Sequence, residues 1–298
     1  MNILITGASG LLGSALVSAL TKRNDTPFCL VRRSPNNANE VQWQPEQGQI
    51  DVAALPQIDA AVHLAGENIA GGRWTDDRKK RIRDSRVNST ELLSNTLANL
   101  THRPHTLISA SAIGYYGHRT DEELTENSPP GTGFLPEVGL AWEGAAQSAI
   151  DAGIRTVFPR IGVVLTPEGG ALQKMLMPFK LGLGGVVGSG KQYMSWISKQ
   201  DLINTILFAL DTPTLSGPVN AVSPTPVTNR EFTKTLGKVL SRPTLFPLPA
   251  FAAKLALGEM ADALLLASTR VLPIQLQASN FTFTHPHLEP TLRYLLNR

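Results

Sequence analysis

Thr6-Gly7-Ala8-Ser9-Gly10-Leu11-Leu12-Gly13 is the stretch on which the reading of this chain turns. Before it, Asn2 to Thr6 is a short apolar run of strand character. After it, Leu11, Leu12, Ala15, Leu16, Ala19 and Leu20 recur at helical spacing. Gly7 allows the tight turn, Gly10 lets a pyrophosphate approach the backbone, and Gly13 lets helix and strand pack closely. The start of the helix offers unpaired N–H groups and the positive end of a dipole. Gly7, Ser9, Gly10, Leu11, Leu12 and Gly13 are therefore the candidate phosphate cradle. A glycine turn with no ligand is the competing reading, and the setting between a strand and an amphipathic helix weighs against it.

The second strand is expected over Pro27 to Val31, and it ends in Val31-Arg32-Arg33-Ser34. A dinucleotide-binding fold that prefers NAD(H) has an acid there for the adenosine ribose. Two guanidiniums beside a hydroxyl would instead hold a 2′-phosphate by charge-assisted hydrogen bonds, so NADP(H) is favoured over NAD(H). The alternative for Arg32 and Arg33 is an ordinary solvated basic turn.

Further along, strands are expected at Val41 to Trp43, Ala60 to Leu64, Thr106 to Ala110 and Arg155 to Val164. Helices are expected over Asp76 to Leu100 and Ala141 to Ala152. Continuous apolar strands alternating with helices are what a parallel sheet covered on both faces requires. Asp201 to Leu210 and Pro218 to Ala221 return to that pattern after a stretch rich in glycine and proline. Helices are then expected at Asn229 to Leu240 and Ala250 to Leu266. The fold class is α/β: a Rossmann-type doubly wound parallel sheet with a small, mostly helical C-terminal lobe. Residues 1–165 plus about 197–223 make the dinucleotide-binding domain, and 166–196 plus 224–298 the substrate-side lobe.

Composition bounds the function. With 42% hydrophobic and 17% charged residues in 298, the chain can bury a sizeable core. Lys plus Arg is 27 against 24 for Asp plus Glu, and a net +3 gives no field that implies nucleic acid. Cys29 is the one cysteine, in an apolar run where it reads as a buried small hydrophobe, so neither disulfides nor cysteine-based metal sites arise. The six histidines are scattered, and no metal site is expected. The uncharged start lacks the basic region of an export signal, and Ala252 to Leu272 is interrupted by Lys254, Glu259, Asp262 and Arg270. A soluble cytoplasmic protein without a membrane partner is expected. Gly185 to Lys191 fits G-x-x-x-x-G-K, but Gln192 follows where a P-loop needs Ser or Thr, so it reads as a substrate-side loop.

Together these residues resemble the extended short-chain dehydrogenase/reductase superfamily, in its sugar-nucleotide epimerase/dehydratase-like branch. The markers are Thr6 to Gly13, His63-Leu64-Ala65-Gly66, Val87 to Leu93, Ser109-Ala110-Ser111, and Trp196-Ile197 with Asp201. More narrowly, Gly66-Glu67-Asn68-Ile69, Arg73-Trp74, Ser85-Arg86, Gly114-Tyr115-Tyr116-Gly117, Arg160 to Leu165 and Pro178 to Gly185 resemble the atypical "epimerase family" proteins, with a C-terminal segment of unknown role. The resemblance implies that Leu64, Ala65 and Gly66 line the adenosine side of the cleft and that Arg86 faces the cofactor. It implies that Arg160 and Val164 flank the nicotinamide end.

That superfamily works through a Tyr and a Lys four residues apart, and this chain has no such pair. With Glu143 as landmark, Leu135 and Gly139 stand in their places. Ser111 matches the superfamily's catalytic serine, and Tyr115 and Tyr116 are the nearby phenols that could replace the missing acid. An oxidoreductase or epimerase acting on a nucleotide sugar or carbonyl compound is expected. A catalytically weak or inactive cofactor-sensing or scaffold protein is the alternative.

Overall fold

The computed structural model describes residues 1–298. Parallel strands lie in the order Gly217–Ala221, Arg155–Ile161, Thr106–Ser109, Ala60–His63, Asn2–Thr6, Thr26–Val31 and Glu40–Gln44, and Gln49–Ile50 adds an antiparallel edge. The chain runs outward from the central strand in one direction, then crosses back to build the other half. The strand order therefore reverses between Asn2–Thr6 and Ala60–His63, where such sheets bind ligands.

Alternation along each strand divides the core. Ile3, Ile5, Val62, Ile108 and Val157 face Leu16 and Leu20 of the helix Leu11–Lys22 and Ile203 and Ile206 of the helix Lys199–Asp211. Leu4, Ala61, Leu107 and Phe158 face Leu93 and Leu97 of the helix Asp76–Ala98, together with Ala146 and Ala149. A separate core around Leu172, Phe179, Trp196, Phe232 and Leu292 joins the helices Gly170–Lys180, Asn229–Leu240 and Leu288–Leu296. The chain then crosses back: Leu276, Phe281 and Phe283 pack on the sheet's own core. The buried Asp201 carboxylate fixes that return, accepting from Thr284 N at 2.8 Å and His285 N at 2.9 Å. No helix is long and apolar enough to cross a membrane.

Three elements differ from the reading of the sequence. The helix expected from Ala141 begins at Phe134, because Pro136 sits in the first turn, where its missing N–H costs nothing, and a second short helix follows at Gln147–Asp151. The strand expected over Arg155 to Val164 breaks at Gly162. A Cβ there would lie 2.8 Å from the Ser195 carbonyl oxygen, and Val163–Leu165 pairs instead with Trp196–Ser198. The helix expected over Ala250 to Leu266 is interrupted after Leu257, because Gly258 turns the chain with φ 62°, and helical structure resumes over Glu259–Ala261 and Asp262–Leu266. Cys29 is half-buried, and burial with the neighbouring Glu40 pushes its thiol up.

A buried chain of polar groups ties the central strands together beneath the switch point. Thr6 Oγ1 accepts from Leu64 N and Ala65 N at 3.1 Å each, and so donates to His63 Nδ1 at 2.7 Å. His63 Nε2–H then donates to Ser89 Oγ at 3.1 Å, and the Ser89 proton goes to the Ser85 carbonyl at 2.6 Å. Every proton has one acceptor, which fixes a neutral imidazole. Burial, helped by the charge of Arg86, pushes the His63 pKa down to about 4.

The folded protein thus binds fewer protons at His63 than the unfolded chain, whose imidazole titrates near 6.5. The resulting stability is complete above pH 6.5 and is lost as the pH falls toward 4. The gap corresponds to about 3 kcal/mol. Urea unfolding should show the native protein losing about 3 kcal/mol more than a His63→Leu variant between about pH 7 and pH 4; parallel losses would refute the assignment.

Candidate cofactor and catalytic site

The glycine turn has the shape that a phosphate needs. Gly7 has φ 70°, and a Cβ on it would lie 2.9 Å from Ala65 N and Leu64 C. A Cβ on Gly13 would stand 2.1 Å from the Gly7 carbonyl oxygen, so only glycine lets the helix approach the turn. Gly10 differs: a Cβ there would have the Gly7 oxygen alone within 4 Å, at 3.2 Å. The side above Gly10 is open, and Ser9 and Gly10 are both exposed. Gly10 caps the helix Leu11–Lys22 with no side-chain cap and no acid in the first turn. The first N–H groups therefore face outward without a competing anion, which fits a pyrophosphate. Leu12 and Val164 pack together against Ile197, Leu202 and Ala221, so Val164 lies beside the cradle.

The ribose end corrects the sequence reading. Arg33 donates to both Glu40 oxygens, at 2.6 and 2.8 Å, and Glu40 also accepts from Asn36 N at 2.7 Å. The hydrogen bond from Arg33, then that from Asn36, holds the Glu40 carboxyl below its usual range. An acid is present after all, supplied by the next strand opposite Cys29. Arg32 is exposed and makes no hydrogen bond or ion pair. It is the free cation of the two.

Gly66 meets Arg86: a Cβ on the glycine would lie 3.5 Å from the guanidinium carbon. Arg86 donates to the Ile82 and Glu67 carbonyls at 3.0 and 3.1 Å and lies 5.0 Å from the Trp142 ring centroid. Burial pushes its pKa down to about 10. The same guanidinium is the charge that His63 senses.

At the carboxyl end of Thr106–Ser109, Ser111 Oγ donates to Glu143 Oε1 at 2.6 Å. Glu143 is held bidentately by Arg160, whose Nε and Nη2 each lie 2.8 Å from a carboxylate oxygen. Arg160 Nη1 donates to the Tyr116 hydroxyl at 2.9 Å and to the Glu126 carbonyl at 3.3 Å. The Tyr116 hydroxyl donates to Asn220 Oδ1 at 2.7 Å. Arg160 is 3% exposed and Tyr116 fully buried. Burial pushes the Tyr116 phenol up to about 12. The Arg160 donors are thus engaged inside the protein, and the Tyr116 hydroxyl both donates and accepts within the core.

Tyr115 is placed differently. Its ring lies on the Arg160 guanidinium, 3.6 Å from ring centroid to guanidinium carbon, and its hydroxyl makes no hydrogen bond within the protein. The ring also packs against Gly139, where a Cβ would meet Tyr115 Cα at 3.2 Å and Cδ2 at 3.4 Å. Leu135 in turn packs on Gly114, its Cδ1 3.3 Å from a Cβ built there. The residues in place of the Tyr and Lys are thus small or apolar because the turn Ile113–Tyr116 lies against them. Sequence reading used Glu143 only as a landmark. The recoverable signal was its helical spacing, four residues from Gly139 on the same face.

These features define a nicotinamide-dinucleotide fold of the short-chain dehydrogenase/reductase type. The chain belongs to the NAD dependent epimerase/dehydratase family, whose model matches residues 3–222, and a domain of unknown function (DUF1731) matches 248–295. It is 46% identical over 296 residues to the epimerase family protein Mb2239 of Mycobacterium bovis, covering 99% of this chain and 98% of that one. It is 34% identical to the human epimerase family protein SDR39U1, covering 99% and 100%. Among solved structures, human SDR39U1 (isoform 2), crystallised with NADPH, superposes with a TM-score of 0.92 at 33% identity, covering 100% of each chain. MoeE5 in complex with UDP-glucuronic acid and NAD shares the fold at 18% identity, with a TM-score of 0.78 over 100% of this chain and 98% of that one.

Removing one partner of the buried ion pair should be severe. Glu143→Gln leaves the Arg160 charge uncompensated, and a loss of about 3 kcal/mol is expected in chemical denaturation. A loss below about 1 kcal/mol would show that the pair is not structural.

Proposed function

We propose that this protein is an NADP(H)-dependent oxidoreductase or epimerase of a small molecule, in which Ser111 and Tyr115 meet the reacting oxygen. The observation that carries the reading is Tyr115, whose hydroxyl is left unbonded while its ring is clamped between Arg160 and Gly139. Bound nicotinamide would supply or accept a hydride. Ser111, with its proton given to Glu143, presents lone pairs to a substrate hydroxyl. Tyr115 then exchanges the proton with the reacting oxygen. The nearest fixed cation is Arg160, beneath the ring face and not at the hydroxyl, so slow turnover is expected. A carbonyl compound or a nucleotide sugar is the substrate class this chemistry admits. The lost Tyr–Lys pair also favours a second reading, a protein that binds the nucleotide and signals its level without turnover.

A screen of carbonyl compounds and nucleotide sugars, followed by nicotinamide absorbance, tests the first reading. Ser111→Ala and Tyr115→Phe should each lower turnover by about 100-fold, and Tyr116→Phe should lower stability more than rate. Nucleotide binding with no turnover on any compound would favour the sensing role.

The preference for NADP(H) rests on Arg32, the unpaired guanidinium at the ribose end. Arg32→Ala should weaken NADPH binding by about 1.5 to 3 kcal/mol and leave NADH unchanged, while Arg33→Ala, already committed to Glu40, should cost less. Fluorescence titration decides it, and equal affinity of the native protein for the two nucleotides would overturn the preference.

A further inference from the structure

Two helices and one loop are tied together beside the cradle. The helix Gly170–Lys180 starts next to Leu11, whose Cδ2 lies 3.0 Å from a Cβ built on Gly169. One turn along, Lys174 Nζ donates to the Ala70 carbonyl at 3.0 Å, on the loop that follows Ala60–His63. Arg73 of the same loop donates to the Leu255 carbonyl at 3.4 Å, near the end of the helix Ala250–Leu257. The loop therefore links both helices at the edge of the nucleotide site.

Both helices turn apolar side chains into water. Met177 and Leu181 follow Lys174 at helical spacing and are each 66% exposed. Phe251 and Leu255, one turn apart, are 74% and 78% exposed. Exposed apolar groups gathered this way mark a binding surface. The two stretches of chain that carry them are basic, although Asp262 pairs with Lys254 and Glu259 with Lys79 at the end of the second helix. Between Glu168 and Asp201 the chain carries four lysines and no acid, and between Glu231 and Glu259 three lysines, one arginine and no acid, although the rest of the chain is net acidic. Lys174, Lys180 and Arg242 have no acidic partner. A second copy docked through the same face would set these cations against one another.

We infer that the substrate is an anionic amphiphile, with an extended apolar body lying on Met177, Leu181, Phe251 and Leu255 and an anionic head met by Lys174, Lys180 and Arg242. The inference rests on the oxidoreductase reading of the adjoining site and narrows its substrate class. A nucleotide sugar would bring hydroxyls to four side chains that offer no hydrogen bonds, at a desolvation cost that nothing there offsets.

Binding can be tested without turnover on the full-length protein loaded with NADPH. Anilinonaphthalene sulfonate serves as fluorescent probe, with dodecanoate, dodecanol and UDP-glucose as competitors. Saturable probe binding, displaced by dodecanoate and not by UDP-glucose, is expected. The double variant Phe251→Ser/Leu255→Ser should weaken it by about tenfold or more, and Lys174→Ala should weaken dodecanoate more than dodecanol. NADPH affinity, titrated on the same samples, should change by less than about twofold, which reports folding and the nucleotide site separately. Displacement by UDP-glucose, an unchanged double variant, or binding only to anionic vesicles would overturn the inference. Failure of the parent reading shows elsewhere, as absent NADPH binding or absent turnover on every carbonyl compound.

Discussion

The Arg160 guanidinium, shut away from water, holds the carboxyl end of the sheet in register. A charge there is tolerable only when its donors are matched, because desolvation costs several kcal/mol per ion before any pairing is counted. The partners come from separate places: Glu143 on one helix, Tyr116 on a turn, the Glu126 carbonyl on a loop. Tyr116 extends the set to Asn220 on the edge strand, and the Glu126 carboxylate accepts from Asn220 N at 3.0 Å and Gln275 N at 3.1 Å. Each element's position is thus fixed by the demand of one cation. Ser111 inherits its orientation from the same set, since the oxygen that takes its proton also takes that of Arg160 Nε.

What the sequence disclosed follows from how local each feature is. The glycine turn was legible because strand, turn and helix are contiguous, and the steric reason for Gly13 needs only Gly7 and Ala8. Arg32 and Arg33 read as equals because nothing near them in the chain tells them apart. Glu40, brought alongside by strand pairing, separates them. Arg160 and Tyr116 are polar groups near the carboxyl edge of the sheet, where such folds bind ligands. Their burial depends on Asn220 and Glu126, distant in sequence. The helix at Phe134 was missed because Pro136 reads as a breaker unless it falls in the first turn.

Leu135 and Gly139 serve one packing arrangement. The turn that carries Tyr115 lies against the helix, Gly139 gives it room, and Leu135 packs on Gly114. Any side chain at 139 would press on Tyr115, because a Cβ there would lie 3.2 Å from its Cα and 3.4 Å from its Cδ2. Tyr115 is carried by the turn Ile113–Tyr116, directly after Ser111–Ala112.

Asp201 has a consequence for how this chain can be divided. Its carboxylate grips the backbone at Thr284 and His285, and the segment before them lays Leu276, Phe281 and Phe283 on the inner sheet. The C-terminal region is therefore a clasp as much as a lobe: it leaves the nucleotide-binding half, forms its own core, and returns to seal the surface it left. Cutting the chain after the last sheet strand would strip apolar cover from Ile203 and Leu215 and strand a buried carboxylate without its donors. The two regions are therefore one folding piece, and separating them would open the seam that the returning segment closes.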